Sequence, residues 1–175
     1  MTTFDFDDGN GPVPTHKHPN GGGWVADTAT VEETAYVGRD AKVFGDAEVF
    51  HDAKVFGNAE VFGNARVFHD ASVYGDARVS GSAEVYGNTK VFGNAQVYDN
   101  AQVSGTAWVS GNAKVFGNAE VYDNAWVYDD AQVYDNAQVS GDAKVSGDAR
   151  VFGDETDEDI FIEMKGKRYK LVEVE

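Results

Sequence analysis

Residues 55–71 read VFGNAEVFGNARVFHDA, with valine at every sixth place (Val55, Val61, Val67) and alanine four places after each. Between them stand an aromatic and two residues of turn character. A six-residue period does not fit a helix of 3.6 residues per turn. Written from alanine, the unit is Ala, a variable residue, Val, an aromatic or Ser, then Gly, Asp or His, then Asn or Asp. Its first four places alternate small apolar with polar, the pattern of a short strand with one buried face. Gly-Asn and Asp-Asn then supply residues that tolerate positive φ and hydrogen-bond their own backbone. Each unit is one short strand and one corner.

The same beat runs far beyond this stretch. Valine holds every sixth position from Val25 to Val151, and alanine follows from Ala29 to Ala149 with one exception, Thr89. That makes 21 hexads over residues 25–150 without an insertion. A two- or three-residue strand cannot bury its valine alone, so the chain must coil until each strand lies beside another. Three hexads per coil stack every residue on the one 18 positions earlier. The expected fold is all-β: a parallel β-helix of about seven 18-residue coils whose valines and alanines fill a narrow prism. At about 4.8 Å per coil, the rod is roughly 34 Å long.

Parity sets the outward residues. The aromatic after each valine and the variable residue before it both oppose valine and point away from the prism. Spacing by 18 places Phe44 with Phe62, Phe50 with Phe68 and Tyr86, and Phe56 with Tyr74 and Phe92. Such ladders either stack on themselves or form an apolar surface that favours association. In the variable column, one face carries Lys42, Glu60, Arg78 and a second carries Glu48, Arg66, Glu84, opposite charges alternating by coil. The third carries Lys54, Ser72, Lys90, Trp108, Trp126 and Lys144, and no acid. Trp108, Trp126, Lys54, Lys90 and Lys144, with Tyr128 beside them, are the candidate ligand- or partner-binding residues, because tryptophan anchors are enriched at interface hot spots.

The chain divides into an N-terminal arm or cap (1–24), the repeat (25–151), and an acidic linker with a C-terminal β-hairpin (152–175). The arm, rich in Gly, Pro and Asp, reads as an irregular cap over the first coil, with His16 and His18 in a flexible segment. The two alternating runs around Lys165-Gly166-Lys167 read as the hairpin. Open coil ends offer unpaired edges, so both ends need covering.

The 175 residues carry a formal charge of −16 and no cysteine. The charge opposes direct nucleic-acid binding, which needs a basic footprint, and suits a basic partner. Without cysteine there is no disulfide or thiolate metal site. No apolar run reaches membrane-spanning length, and MTTFDFDDGNGPVP lacks the features of a secretory leader. The expected location is cytoplasmic, a virion component being equally compatible.

Repeated this often, the aliphatic residue with a small residue four places on resembles the hexapeptide-repeat family. That resemblance implies a left-handed parallel β-helix of triangular section, and commonly a homotrimer. The aromatic at the place after valine departs from the family, where that residue is often small. The family includes acyltransferases and γ-class carbonic anhydrases. His51 and His69, 18 apart beside Asp52 and Asp70, are the weak metal candidates; as corner residues they also fit positive φ. No histidine stands alone at a cleft and no nucleophile is paired with a base, so neither enzyme activity nor a cofactor is expected. The low-diversity repeat and the start HKHPNGGGWVADTA resemble uncharacterised hexapeptide-repeat proteins of bacteria and their phages. The expected function is a noncatalytic, trimeric rod presenting faces to a protein partner. The alternative is a phage-type protein that sequesters a small ligand between protomers or blocks a host defence protein, as in counter-defence. An acyltransferase or carbonic-anhydrase-like enzyme ranks third.

Overall fold

A computed structural model describes residues 2–153 and 160–171. All regular structure among them is β, and no helix is long and apolar enough to cross a membrane. The acidic run over 154–159 lies outside the described residues.

The six-residue beat becomes one strand and one corner per hexad. Strands of two to four residues recur from Trp24–Ala26 to Arg150–Gly153. They assemble into three sheets by taking every third strand, and every parallel pair joins residues 18 apart: Lys42 to Glu60, Arg66 to Glu84, Trp108 to Trp126. The hydrogen bonding repeats as well. In one hexad the N–H groups of Lys42, Phe44 and Asp46 donate to the carbonyls of Ala59, Val61 and Gly63 at 3.0, 3.0 and 2.8 Å. Each coil thus satisfies the backbone of its neighbour. The valines and alanines form a single continuous interior, fully shielded along most of its length.

Corners need a residue at positive φ. Glycine fills most of them, as at Gly57 (φ 69°), but His51, His69, Asp99, Asp123, Asp129 and Asp135 take the same conformation. Aspartate adds something glycine lacks: the Asp99, Asp123 and Asp129 carboxylates accept the N–H groups of Gly117, Gly141 and Gly147 in the next coil, at 3.2–3.3 Å. The following Asn column forms an amide ladder, Asn100 donating to Asn118 at 3.2 Å and Asn118 to Asn136 at 3.1 Å.

The variable columns pair as the alternating charges require. Lys42 and Arg78 flank Glu60 at 3.2 and 3.1 Å, and Arg66 bridges Glu48 and Glu84 at 3.1 and 2.9 Å.

Both ends carry an antiparallel extension of the first sheet. The N-terminal segment covers the first coil as a hairpin, not as an irregular, flexible arm: Thr2–Phe4 pairs with Val13–Lys17, which pairs with Trp24–Ala26. His18 is buried and its Nε2 lies 2.9 Å from the Ala35 carbonyl. A carbonyl only accepts, so Nε2 carries the proton. The glycine run lets the chain cross the start of the third face, where a Cβ at Gly23 would collide with Val37 and the Gly38 carbonyl. Phe44 points away from the prism like the rest of its column but is not exposed, because Phe6 stacks on it at 4.7 Å and buries it. At the other end Ile160–Met164 pairs with Arg150–Gly153 and Lys167–Leu171. Lys165 and Gly166 both have positive φ, as a two-residue I′ hairpin loop demands.

Thr89, which replaces an alanine, is fully buried, and its hydroxyl has no hydrogen-bond partner. An unsatisfied buried hydroxyl costs about 1–3 kcal/mol. Thr89→Ala is therefore expected to raise unfolding stability by about 1 kcal/mol, read as a higher denaturant midpoint at unchanged slope. A lower midpoint would mean that the threonine methyl fills space the prism needs.

Candidate functional site: a missing rung on the third face

The third face is built from Tyr36–Val37, Lys54–Gly57, Ser72–Gly75, Lys90–Gly93, Trp108–Val109, Trp126–Val127 and Lys144–Val145. Register alone brings its candidate residues into line, Lys90 against Trp108, Trp108 against Trp126, and Trp126 against Lys144. The two indoles stack at 4.9 Å with planes 2° apart. Lys90 Nζ lies 4.5 Å from the Trp108 ring centre and Lys144 Nζ lies 5.0 Å from that of Trp126. Both outer faces of the indole pair are thus taken by ammonium groups through cation–π attraction, and the pair presents ring edges to solvent. Trp126 is one of few large apolar side chains that remain exposed, at 39%.

The neighbouring column, one place after valine, is a ring ladder: Phe56 on Tyr74 at 4.8 Å and Tyr74 on Phe92 at 5.0 Å, planes within 3°. Ser110 then stands where the next ring belongs, and Tyr128 follows. Phe92 and Tyr128 are therefore left two rungs apart in the column, about 10 Å, with only the small Ser110 side chain of the column between them. A cavity of about 350 Å³ opens here, lined by Phe92, Trp108, Ser110, Trp126, Tyr128 and Asp129 together with Gly111. Trp108 meets Phe92 edge-on at 6.2 Å and 76°. Asp129 is the charged residue of the lining.

Three of the six candidates, Trp108, Trp126 and Tyr128, converge on this notch. Lys90 and Lys144 clamp the indole pair from above and below. Lys54 shares the face but stands three rungs from Trp108, exposed and outside the cluster. Phe92, Ser110 and Asp129 were not foreseen. Their signal was the interruption of a ring column by serine, which disappears when "aromatic or Ser" is taken as one class.

Elsewhere the ladders stack too: Phe50–Phe68–Tyr86 and Tyr98–Phe116–Tyr134–Phe152, all at 4.9–5.3 Å. Burial pushes the hydroxyls of Tyr74, Tyr98 and Tyr134 above their ordinary pKa, with the Asp99 charge adding to it at Tyr98. Two more rungs are missing. At Ser104 a notch of about 260 Å³ lies between Tyr86 and Tyr122, with Glu120 and Asp123 in its wall. At Ser80 the Arg78 guanidinium lies 5.0 Å over Phe62. A wider groove of about 560 Å³ follows the Asn ladder past Asp99 and Asp135. His51 and His69 stack at 5.1 Å on their corner, where the His51 N–H donates to Glu32 Oε2 at 2.7 Å. Among the described residues no group of three or more His, Asp or Glu side chains is placed to hold a metal ion.

A family model described as the YdcK beta solenoid repeat matches residues 71–87 and 95–111. The second segment contains Trp108 and Ser110. The match covers 34 of the 175 residues and agrees with the class that the seven stacked coils show. The chain is a β-solenoid repeat protein. No curated protein matches it.

Proposed function

We propose that this β-solenoid is a noncatalytic interaction rod whose third face docks a protein partner. One observation supports the reading above the others: a rigid indole pair, held flat between Lys90 and Lys144, ends in the exposed Trp126 beside an open notch. Rings fixed in advance lose little conformational freedom on binding, which favours them as anchors. The left-handed coil and the homotrimer belong to the proposal on the hexapeptide-repeat resemblance, as does a kinship with phage and bacterial members of that family. The rings expose edges and stack on one another, so the ladders do not by themselves demand a trimer.

The test compares wild-type protein with the Trp108→Ala, Trp126→Ala double variant as bait in bacterial lysate, with and without phage infection. A partner held by the wild type and weakened at least tenfold in the variant, with thermal unfolding shifted by no more than a few degrees, is the expected result. Equal capture by both, or capture by neither, removes this face as the docking site. Light scattering on the same samples tests the trimer.

A second reading, a protein that sequesters a small ligand, is favoured by the notch itself. Four of its lining residues are aromatic, Phe92, Trp108, Trp126 and Tyr128, and they surround a serine, Ser110.

A further inference from the structure

We propose that the Ser110 notch binds a small molecule bearing a flat, delocalised aromatic cation, one ring thick, inserted as the missing rung between Phe92 and Tyr128. This deepens the sequestering reading and places the site within one chain; it shares Trp108 and Trp126 with the docking face, and its test leaves both in place so that either reading can fail alone.

Thickness comes first. Where the ladder is complete, successive rings sit 4.8–5.0 Å apart. Removing one leaves two aromatic rungs, Phe92 and Tyr128, about 10 Å apart along the column, so a single planar group placed midway sits at the ladder's own spacing from each. A bulkier, non-planar group cannot. The indole edge of Trp108 closes one side, and the cavity of about 350 Å³ has room for a fused ring.

Charge comes from the chain's own treatment of its rings. Three guanidinium groups, each a flat delocalised cation, lie against the ladders: Arg66 at 5.4 Å from both Phe50 and Phe68, Arg78 at 5.0 Å from Phe62, and Arg168 at 4.6 and 4.1 Å from Phe152 and Phe161. The comparison that matters is Arg78-Val79-Ser80 with Trp108-Val109-Ser110. In the first, serine interrupts the column and the residue two places earlier supplies a guanidinium against the half-buried Phe62 ring. In the second, that residue is Trp108, which lines the gap without a charge. The cation that Arg78 supplies internally at Ser80 is left to an outside molecule at Ser110. Ring faces attract cations, and the charged lining residue, Asp129, is an acid whose second oxygen already accepts the Gly147 N–H. Lys90 and Lys144 stand against the indole pair outside the lining, so the lining itself, four rings and one acid, favours a cation over an anion, and its ring-sized volume favours a heteroaromatic cation over a bare guanidinium.

Calorimetric titration of the full chain with 1-methylquinolinium tests this, beside four comparators: neutral quinoline, cyclohexyltrimethylammonium, naphthalene-2-sulfonate and an arginine-containing tripeptide. The expected result is saturable 1-methylquinolinium binding at least tenfold tighter than any comparator. Ser110→Phe, which restores the rung, is expected to weaken it at least tenfold while raising the unfolding temperature. Tyr128→Ser, which removes one wall, is expected to weaken it similarly. Asp129→Asn is expected to bring quinoline and 1-methylquinolinium to within about threefold of each other. Wild-type affinity retained in folded Ser110→Phe, or no binding of 1-methylquinolinium at millimolar concentration, overturns the site. Equal binding of quinoline to the wild type overturns the cation. Tighter binding of the tripeptide overturns the small-molecule source.

Discussion

Removing residues 77–94 is expected to leave a folded rod one coil shorter, whereas removing Ala83 alone is expected to cost at least about 4 kcal/mol. The two deletions differ in what they do to parity. Taking out 18 residues joins Asp76 to Ala95, which places one full coil directly on the next with valine on valine: Phe62 meets Tyr98 in place of Ser80, Phe68 and Tyr74 exchange Tyr86 and Phe92 for Ser104 and Ser110, and Arg66 loses Glu84 but keeps Glu48. Taking out one residue shifts everything after it by one place. Because a strand's side chains alternate, a one-residue slip turns each later valine outward and sends its charged or aromatic neighbour into the prism. Each valine so exposed forfeits roughly 1.5–3 kcal/mol of burial, so the slip cannot propagate, and one corner must absorb it with broken coil-to-coil hydrogen bonds. Urea unfolding followed by circular dichroism separates the cases: one cooperative transition for the 18-residue deletion, and a lost or strongly shifted one for the single deletion. Comparable losses from both would show that the 18-residue register does not hold the rod together.

The second large effect concerns the N-terminal cover. A chain beginning at Trp24 loses the hairpin formed by Thr2–Phe4 and Val13–Lys17, and with it the antiparallel partner of Trp24–Ala26. It also uncovers Phe44, on which Phe6 stacks, and removes the His18 contact to Ala35. What remains is a bare parallel edge beside an exposed ring, a template for another strand. This truncated protein is expected to associate end to end, its sedimentation coefficient rising steeply with concentration while that of the full chain changes little. Phe6→Ser in the full chain keeps the hairpin's backbone pairing and removes the ring stack, so it should lower stability without association. A truncated protein that sediments like the full chain would mean that the first coil needs no cover.

The prism was legible because its period is strict. With valine at every sixth place and alanine at fixed offset, a coil of whole hexads keeps both inside, and with three hexads per coil, the triangular section implied by the family resemblance, the observed pairs, Val43 to Val61 and Val67 to Val85, follow. The ion pairs were legible for the same reason: once register is known, Lys42 must meet Glu60. Contacts that do not repeat were not legible. Phe6 reaches Phe44 and His18 reaches Ala35 across a cap whose composition suggests loose chain; nothing periodic announces either. The notch was hidden differently. Trp108, Trp126 and Tyr128 could be chosen by residue type, but the space between Phe92 and Tyr128 is a property of what Ser110 lacks, and a pattern that treats serine and phenylalanine alike cannot show a gap.

The direction of the coil-to-coil hydrogen bonds carries a mechanical consequence. Bonds such as Lys42 N–H to Ala59 and Phe44 N–H to Val61 run along the rod, not around it. A pull applied between the two ends therefore opens them one turn at a time, like a zipper, and does not shear many together. Each opened turn frees 18 residues, on the order of 60 Å of extended chain, so stretching a single molecule should give a low, regular series of force peaks at nearly constant spacing.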